Sequence, residues 1–151
     1  MNITIAAVGR MKSGPEWILF NKYLRRITWP LTIREVVERR PLKKQQLMAR
    51  EANLLANAVP TGAFLIALDK SGKSISSDSF ARLFQDLRSE NQREIAFVIG
   101  GTEGIDTSLL SQANLKLSMG AQTWPHLLAR CMLLEQIYRV QSILTNHPYH
   151  R

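Results

Sequence analysis

The last six residues, Asn146-His147-Pro148-Tyr149-His150-Arg151, put two imidazoles, a phenol and a guanidinium side by side. Those groups serve proton transfer, stacking and phosphate binding. Chain ends are usually frayed, so a floppy tail is the competing expectation. His126 is the only other histidine. His147 and His150 lack carboxylate or thiol neighbours, which argues against a metal site. No serine sits in a nucleophile elbow, and no paired carboxylates of a hydrolase are evident. Gly100-Gly101-Thr102-Glu103-Gly104 follows an apolar run. Glycines there let a ligand approach the backbone closely. The segment is not G-x-G-x-x-G and lacks the G-K-[ST] ending of a P-loop. A tight turn explains it as well as a ligand loop does. Arg130 projects from the centre of an apolar helical arc that includes Leu127, Leu133, Leu134 and Ile137. A buried arginine needs an anionic partner. It serves either a substrate phosphate or developing charge, or a structural ion pair.

These groups need a scaffold, and apolar bursts alternate with helical patterns along the chain. Strands are expected over 3–8, 31–37, 63–68, 95–99 and 115–119. Helices are expected from Pro15 to about Ile27, over 43–58, from a cap at Ser77 or Asp78 to about Glu90, and over 125–144. Asp106 caps a short helix. Asp69-Lys70-Ser71-Gly72 reads as a turn. The alternation predicts an α/β fold, with a mostly parallel sheet of five to six strands and helices on both faces. In such sheets ligands bind beyond the carboxyl ends of strands. Segments 68–73, 100–106 and 119–126 are therefore the site candidates. On the final helix, Glu135, Gln136, Arg139 and Ser142 share the polar side. The apolar arc is wide enough to be covered twice, and a second subunit is a plausible second cover.

A chain of 151 residues with 45% apolar content is expected to form one domain, 1–151, with a real core. No apolar run approaches the roughly 20 residues needed to span a bilayer, and no secretory signal is visible. Cys131 is the only cysteine, which excludes an intramolecular disulfide and fits a reducing cytoplasm. The net charge is +8, and residues 1–50 hold 11 basic and 3 acidic side chains. The whole excess lies in that third, which points to a polyanion such as RNA or to a solvated basic surface. Arg25, Arg26, Arg39, Arg40, Lys43 and Lys44 are the candidate phosphate contacts.

One ordered set of segments resembles a known family. The set comprises Ala7-Val8-Gly9, Tyr23-Leu24-Arg25-Arg26, Leu68-Asp69 with Ser76-Ser77, and Phe97-Val98-Ile99-Gly100-Gly101-Thr102-Glu103-Gly104. It continues with Thr123-Trp124-Pro125-His126, Arg130, Leu133 through Arg139, and Asn146-His147-Pro148-Tyr149-His150. End to end, the chain resembles the bacterial large-subunit rRNA pseudouridine N3-methyltransferases, small members of the SPOUT class. Leu127 and Thr102 depart from the residues more usual at their positions.

The resemblance implies a C-terminal trefoil knot, an exception to the rule that chains do not thread loops. It implies S-adenosylmethionine as cofactor, no metal, and contacts at Leu68, Gly100, Met119, Gly120, Ala121, Gln122, Thr123 and Trp124. It implies a homodimer with the last helix in its interface. The implied substrate is a pseudouridine of large-subunit (23S) rRNA in the assembled ribosome. It also supports roles for the tail and Arg130. Among them His150 is the first choice of base by intrinsic pKa. Tyr149 would stack or relay a proton, and Arg130 would stabilise the anionic ring or grip a phosphate. The alternatives are a non-catalytic basic ribosome-binding protein and a tRNA methyltransferase of the same class.

Overall fold

A computed structural model describes residues 1–150, except the side chain of His150. Its elements run β1 (Asn2–Val8), α1 (Pro15–Leu24), β2 (Leu31–Val36), α2 (Lys44–Ala58), β3 (Phe64–Lys73), α3 (Ser77–Ser89), β4 (Glu94–Ile99), α4 (Thr107–Leu110), β5 (Leu115–Leu117) and α5 (His126–Leu144). A 3-10 turn over Pro148–His150 ends the described chain. The sheet has five strands, all parallel, in the order β2-β1-β4-β3-β5.

The central strands are apolar along their length because both their faces are covered. Ile3, Ile5, Ala7, Ile95, Phe97 and Ile99 face Phe20 of α1, Phe80 and Phe84 of α3, and Leu133, Leu134, Ile137 and Val140 of α5. Ala6, Val8, Ala96 and Val98 face Ala52, Leu55 and Ala58 of α2 and Leu109 of α4. The two-residue period of the strands thus sorts one sequence into two core layers. The small alanines on the second face let α2 lie close.

Five expectations are corrected. The 69–72 turn is instead an irregularity inside β3, where Leu68 and Lys73 both pair with Leu117. Gly72 is required there, since a Cβ would fall 2.5 Å from the Lys116 carbonyl carbon. The α3 cap is Ser76, which accepts from the Ser79 amide at 3.1 Å. Helix α1 stops at Leu24 and β5 at Leu117. Ser142 is buried, and its hydroxyl donates to the Tyr138 carbonyl at 2.8 Å. A hydroxyl that bonds back along its own helix can be buried without a further partner.

Phe84 is 1% exposed, stacks on Trp29 at 5.5 Å and meets Phe80 edge-on at 5.2 Å. Phe84→Ala is expected to lower unfolding free energy by about 3–5 kcal/mol, as core aromatic truncations do. Urea denaturation monitored by circular dichroism measures it.

Candidate functional site

Leu68, Ile99 and Leu117 lie in register, Ile99 and Leu117 at the carboxyl ends of β4 and β5 and Leu68 where β3 becomes irregular. The irregular stretch of β3 and the loops that leave β4 and β5 enclose a cavity of about 660 Å³, within the range of small-molecule sites. Leu68, Gly100, Met119, Gly120, Gln122, Thr123 and Trp124 line it; of the expected cofactor contacts, Ala121 is exposed and does not.

Two local devices shape the walls. The Ser118 hydroxyl donates to the Gly120 carbonyl at 2.9 Å, and the Gly120 amide donates back at 3.2 Å. The Trp124 indole donates to the Met119 carbonyl at 3.2 Å. The segment after β5 is therefore folded onto itself. Across the cavity, the Gly104 amide donates to the Gly101 carbonyl at 3.0 Å and closes a tight loop. A Cβ on Gly100 would sit 2.7 Å from the Gly104 carbonyl. Gly100 is thus needed for the loop itself by close approach, while the positive φ expected of a tight turn falls at Gly104, at 87°.

His126 opens α5 and lines the same cavity. Burial lowers its pKa, and the Arg130 charge lowers it further, so the imidazole is neutral near pH 7. The sequence placed His126 in a candidate segment but gave it no role. Its position after Pro125, on the loop leaving β5, was the available signal. Asp69, Lys70, Glu103 and Ile105 also line the cavity, and likewise fall inside or beside the candidate segments.

Arg130 is 1% exposed. Its guanidinium donates to Glu35 Oε1 at 2.9 Å, to the Gly9 carbonyl at 2.9 Å and to the Val8 carbonyl. Of the two alternatives read from the sequence, this geometry favours the structural ion pair. The guanidinium ties α5 to the ends of β1 and β2. It is not among the cavity-lining groups.

The tail is pinned down. The Tyr149 hydroxyl lies 3.1 Å from Glu135 Oε1 and 3.3 Å from the Tyr23 hydroxyl. Its ring lies 4.5 Å from Tyr138, and Arg139 sits over it at 5.1 Å. Burial pushes the phenol pKa well up, aided by Tyr23 and the Glu135 carboxylate. His147 Nδ1 accepts from the Tyr149 amide at 3.2 Å. The His150 side chain lies outside the described residues. Glu135 also lines a second cavity, which shares Leu117, Ser118, Met119 and Gly120 with the first. No described residue of the tail lines the main cavity.

The six basic candidates are all exposed. Arg40 pairs with Glu38 at 3.1 Å, and Lys44 with Glu103 at 2.6 Å. Arg26 lies over the Tyr138 ring at 5.7 Å. Arg25, Arg39 and Lys43 make no ion pair among the described residues. The Lys44–Glu103 bridge places Lys44 beside the cavity loop. Among the described residues, no three His, Cys, Asp or Glu side chains gather to hold a metal ion. Among them too, no helix is long and apolar enough to cross a membrane.

A family model described as "Predicted SPOUT methyltransferase" matches residues 1–150. The chain belongs to this SPOUT methyltransferase family. Proteins named "Ribosomal RNA large subunit methyltransferase H" share 48% identity over 151 residues in Paramagnetospirillum magneticum and Rhodospirillum centenum, covering 100% of this chain and 99% of each relative. One from Dinoroseobacter shibae is 44% identical over 159 residues, with the same coverage. The solved structure of a probable methylase family protein from Haemophilus influenzae Rd KW20 aligns with a TM-score of 0.62 at 16% identity, covering 99% of this chain and 70% of that one. At that identity the likeness speaks for the fold alone.

Arg130→Ala takes the donor away from the Val8 and Gly9 carbonyls, while the Glu35 carboxylate it leaves stays in contact with water. The variant is therefore expected to cost about 1–3 kcal/mol of stability, the scale of a buried acceptor left unsatisfied, measured by urea denaturation. Loss under 1 kcal/mol would mean the cluster is not holding α5 to the sheet.

Proposed function

We propose that the chain transfers a methyl group from S-adenosylmethionine to N3 of a pseudouridine in large-subunit rRNA, acting on the assembled ribosome in the cytoplasm. The observation that carries this is the cavity over Leu68 and the ends of β4 and β5, in a chain 48% identical to enzymes named for large-subunit rRNA methylation. The cavity fits the cofactor. Leu68, Ile99, Ile105, Leu117 and Met119 offer apolar walls to an adenosine. Gly104 and Gly120 also line it, and a Cβ on either would meet nothing within 4 Å. No side chain narrows the wall at either position, so a ligand can approach the backbone closely there. Bound there, S-adenosylmethionine supplies an electrophilic methyl on a sulfonium. The whole chain, 1–151, works as one methyltransferase domain, with the family's trefoil knot formed by its C-terminal part and no metal required.

The protein's tasks are positioning and proton removal. Uridine-type N3 carries a proton that must leave during or before attack. We assign its acceptance to His150, whose imidazole has the intrinsic pKa nearest neutrality, about 6.5. The Tyr149 phenol, pushed up in pKa and held by Glu135, is suited to stack or donate rather than accept. Arg130 positions the pocket by fixing the ends of β1 and β2 beside α5.

The protein works as a homodimer through α5, where Leu127, Leu128, Met132, Tyr138 and Ile143 are only partly covered. Its tail then completes the partner's site. That arrangement resolves the separation of the tail from its own cavity. The exposed cations Arg25, Arg26, Arg39, Arg40, Lys43 and Lys44 grip rRNA phosphates.

Labelled S-adenosylmethionine incubated with ribosomes lacking the modification should yield one methyl, mapped to N3 of a pseudouridine in the large-subunit rRNA. Ribosome binding without transfer would favour a silent binding protein, and transfer to tRNA the related enzyme. Deleting residues 147–151 should leave cofactor affinity within about threefold and lower transfer by 100-fold or more, the scale of a lost acid–base group. Full activity would place the base elsewhere, with His126→Ala the next variant to assay.

Ribosome affinity should also fall steeply with salt. Six phosphate contacts would cost roughly a thousandfold between 50 and 200 mM. Charge reversal at Arg25 and Arg26 should flatten that slope in a filter-binding assay and leave cofactor binding unchanged.

A further inference from the structure

Glu51 lies on α2, is 8% exposed, and its Oε2 has no hydrogen-bond partner among the described residues. A buried polar atom left unpaired costs free energy, so its retention asks for a reason. The surroundings supply one. A Cβ on Gly101 would fall 3.2 and 3.4 Å from the two Glu51 oxygens and 3.1 Å from Val8 Cγ1. The carboxyl therefore occupies the space beneath Gly101, the second residue of the loop that walls the main cavity.

Resting on the methyl-donor reading above, we propose that Glu51 is a positioning residue: its buried carboxyl props Gly101 and through it sets the shape of the Gly100–Gly104 wall of the cofactor site. Glu51 does not itself line the cavity. It acts through the loop. The same loop is tethered from outside by the Lys44–Glu103 bridge, which begins on the same helix. Helix α2 thus holds the loop at two points, one exposed and one buried.

The charges around Glu51 decide the state in which it does this. Burial raises its pKa, and the Glu103 and Glu38 carboxylates raise it further. The nearby cations are engaged elsewhere. Arg40 and Arg50 pair with Glu38, Lys44 with Glu103, and Arg130 with Glu35. Arg34 of β2 donates to the Ala58 carbonyl, and Asp106 caps α4 through Ser108. Both effects favour the uncharged acid over the carboxylate. When it ionises, repulsion from Glu103 acts directly on the loop. The folded pKa lies above the unfolded one, so this group's linkage lowers stability as pH rises from the unfolded value towards the folded one.

The test uses the full chain and the variants E51Q, E51A, G101A and the double variant E51A/G101A. The first readout needs no cofactor: amide hydrogen exchange of 100–104 by mass spectrometry at fixed pH. E51A should exchange at least fivefold faster there, and E51Q within twofold of wild type. The second is S-adenosylmethionine affinity by calorimetry. Wild-type affinity should weaken as pH rises through the Glu51 titration, while E51Q stays flat over the same range. G101A crowds the carboxyl, so its cost in affinity should shrink at least fivefold in the E51A background. Unchanged loop exchange in E51A, or affinity losses that simply multiply, would overturn the proposal. A wild type that binds no S-adenosylmethionine would instead sink the methyl-donor reading, and the exchange data would still decide the role of Glu51.

Discussion

Arg130 is a cation removed from water, and the way three elements meet follows from satisfying it. Its two terminal nitrogens need acceptors, and Val8, Gly9 and Glu35 supply them, while its buried Nε has no partner among the described residues. Those acceptors sit at the carboxyl ends of β1 and β2, so α5 can seat only where its first turns reach that edge. His126, one turn earlier, is thereby held beside the cavity, close to Gly9. The pair also carries the chemical consequence of packing a positive charge against an imidazole: the neutral ring is favoured.

The parallel sheet does the rest. Every strand runs the same way, so the irregular stretch of β3 and the loops after β4 and β5, with little sequence in common, converge over Leu68, Ile99 and Leu117. A site made this way is built from backbone. Gly100 closes its loop by close approach, and Ser118 ties the opposite segment to Gly120. Few side chains need to be chemically special, and positioning can supply much of the rate of a methyl transfer. Proton removal is different in kind, and it is the task proposed above for the tail. Tyr149 is held by Glu135 and Tyr23 on the outer face of α5, which is the face with apolar surface to spare.

The sheet and the cavity were legible in the sequence for a simple reason. Strands buried on both faces read as unbroken apolar runs, and each run here is followed by glycine or small polar residues. The irregularity in β3 was not legible. Asp69-Lys70-Ser71-Gly72 has the composition of a turn, yet pairing with β5 carries it on as strand. The burial of Ser142 was hidden because its partner is its own helix backbone. Arg130 was recognisable as a buried cation, but its partner Glu35 lies 95 positions away, and only the fold decides between a ligand and an ion pair. Glu51 gave no signal at all. On α2 it reads as an ordinary surface acid until Gly101 is placed above it.

The central claim is that the methyl donor lies in the cavity over Leu68 and the ends of β4 and β5. The measurement that tests it most directly is a crystal structure of the chain grown with S-adenosylmethionine. Ligand density bounded by Leu68, Gly100 and Gly120 is the predicted result. A fully occupied ligand elsewhere, such as in the second cavity beside Ser77 and Gln136, would contradict it.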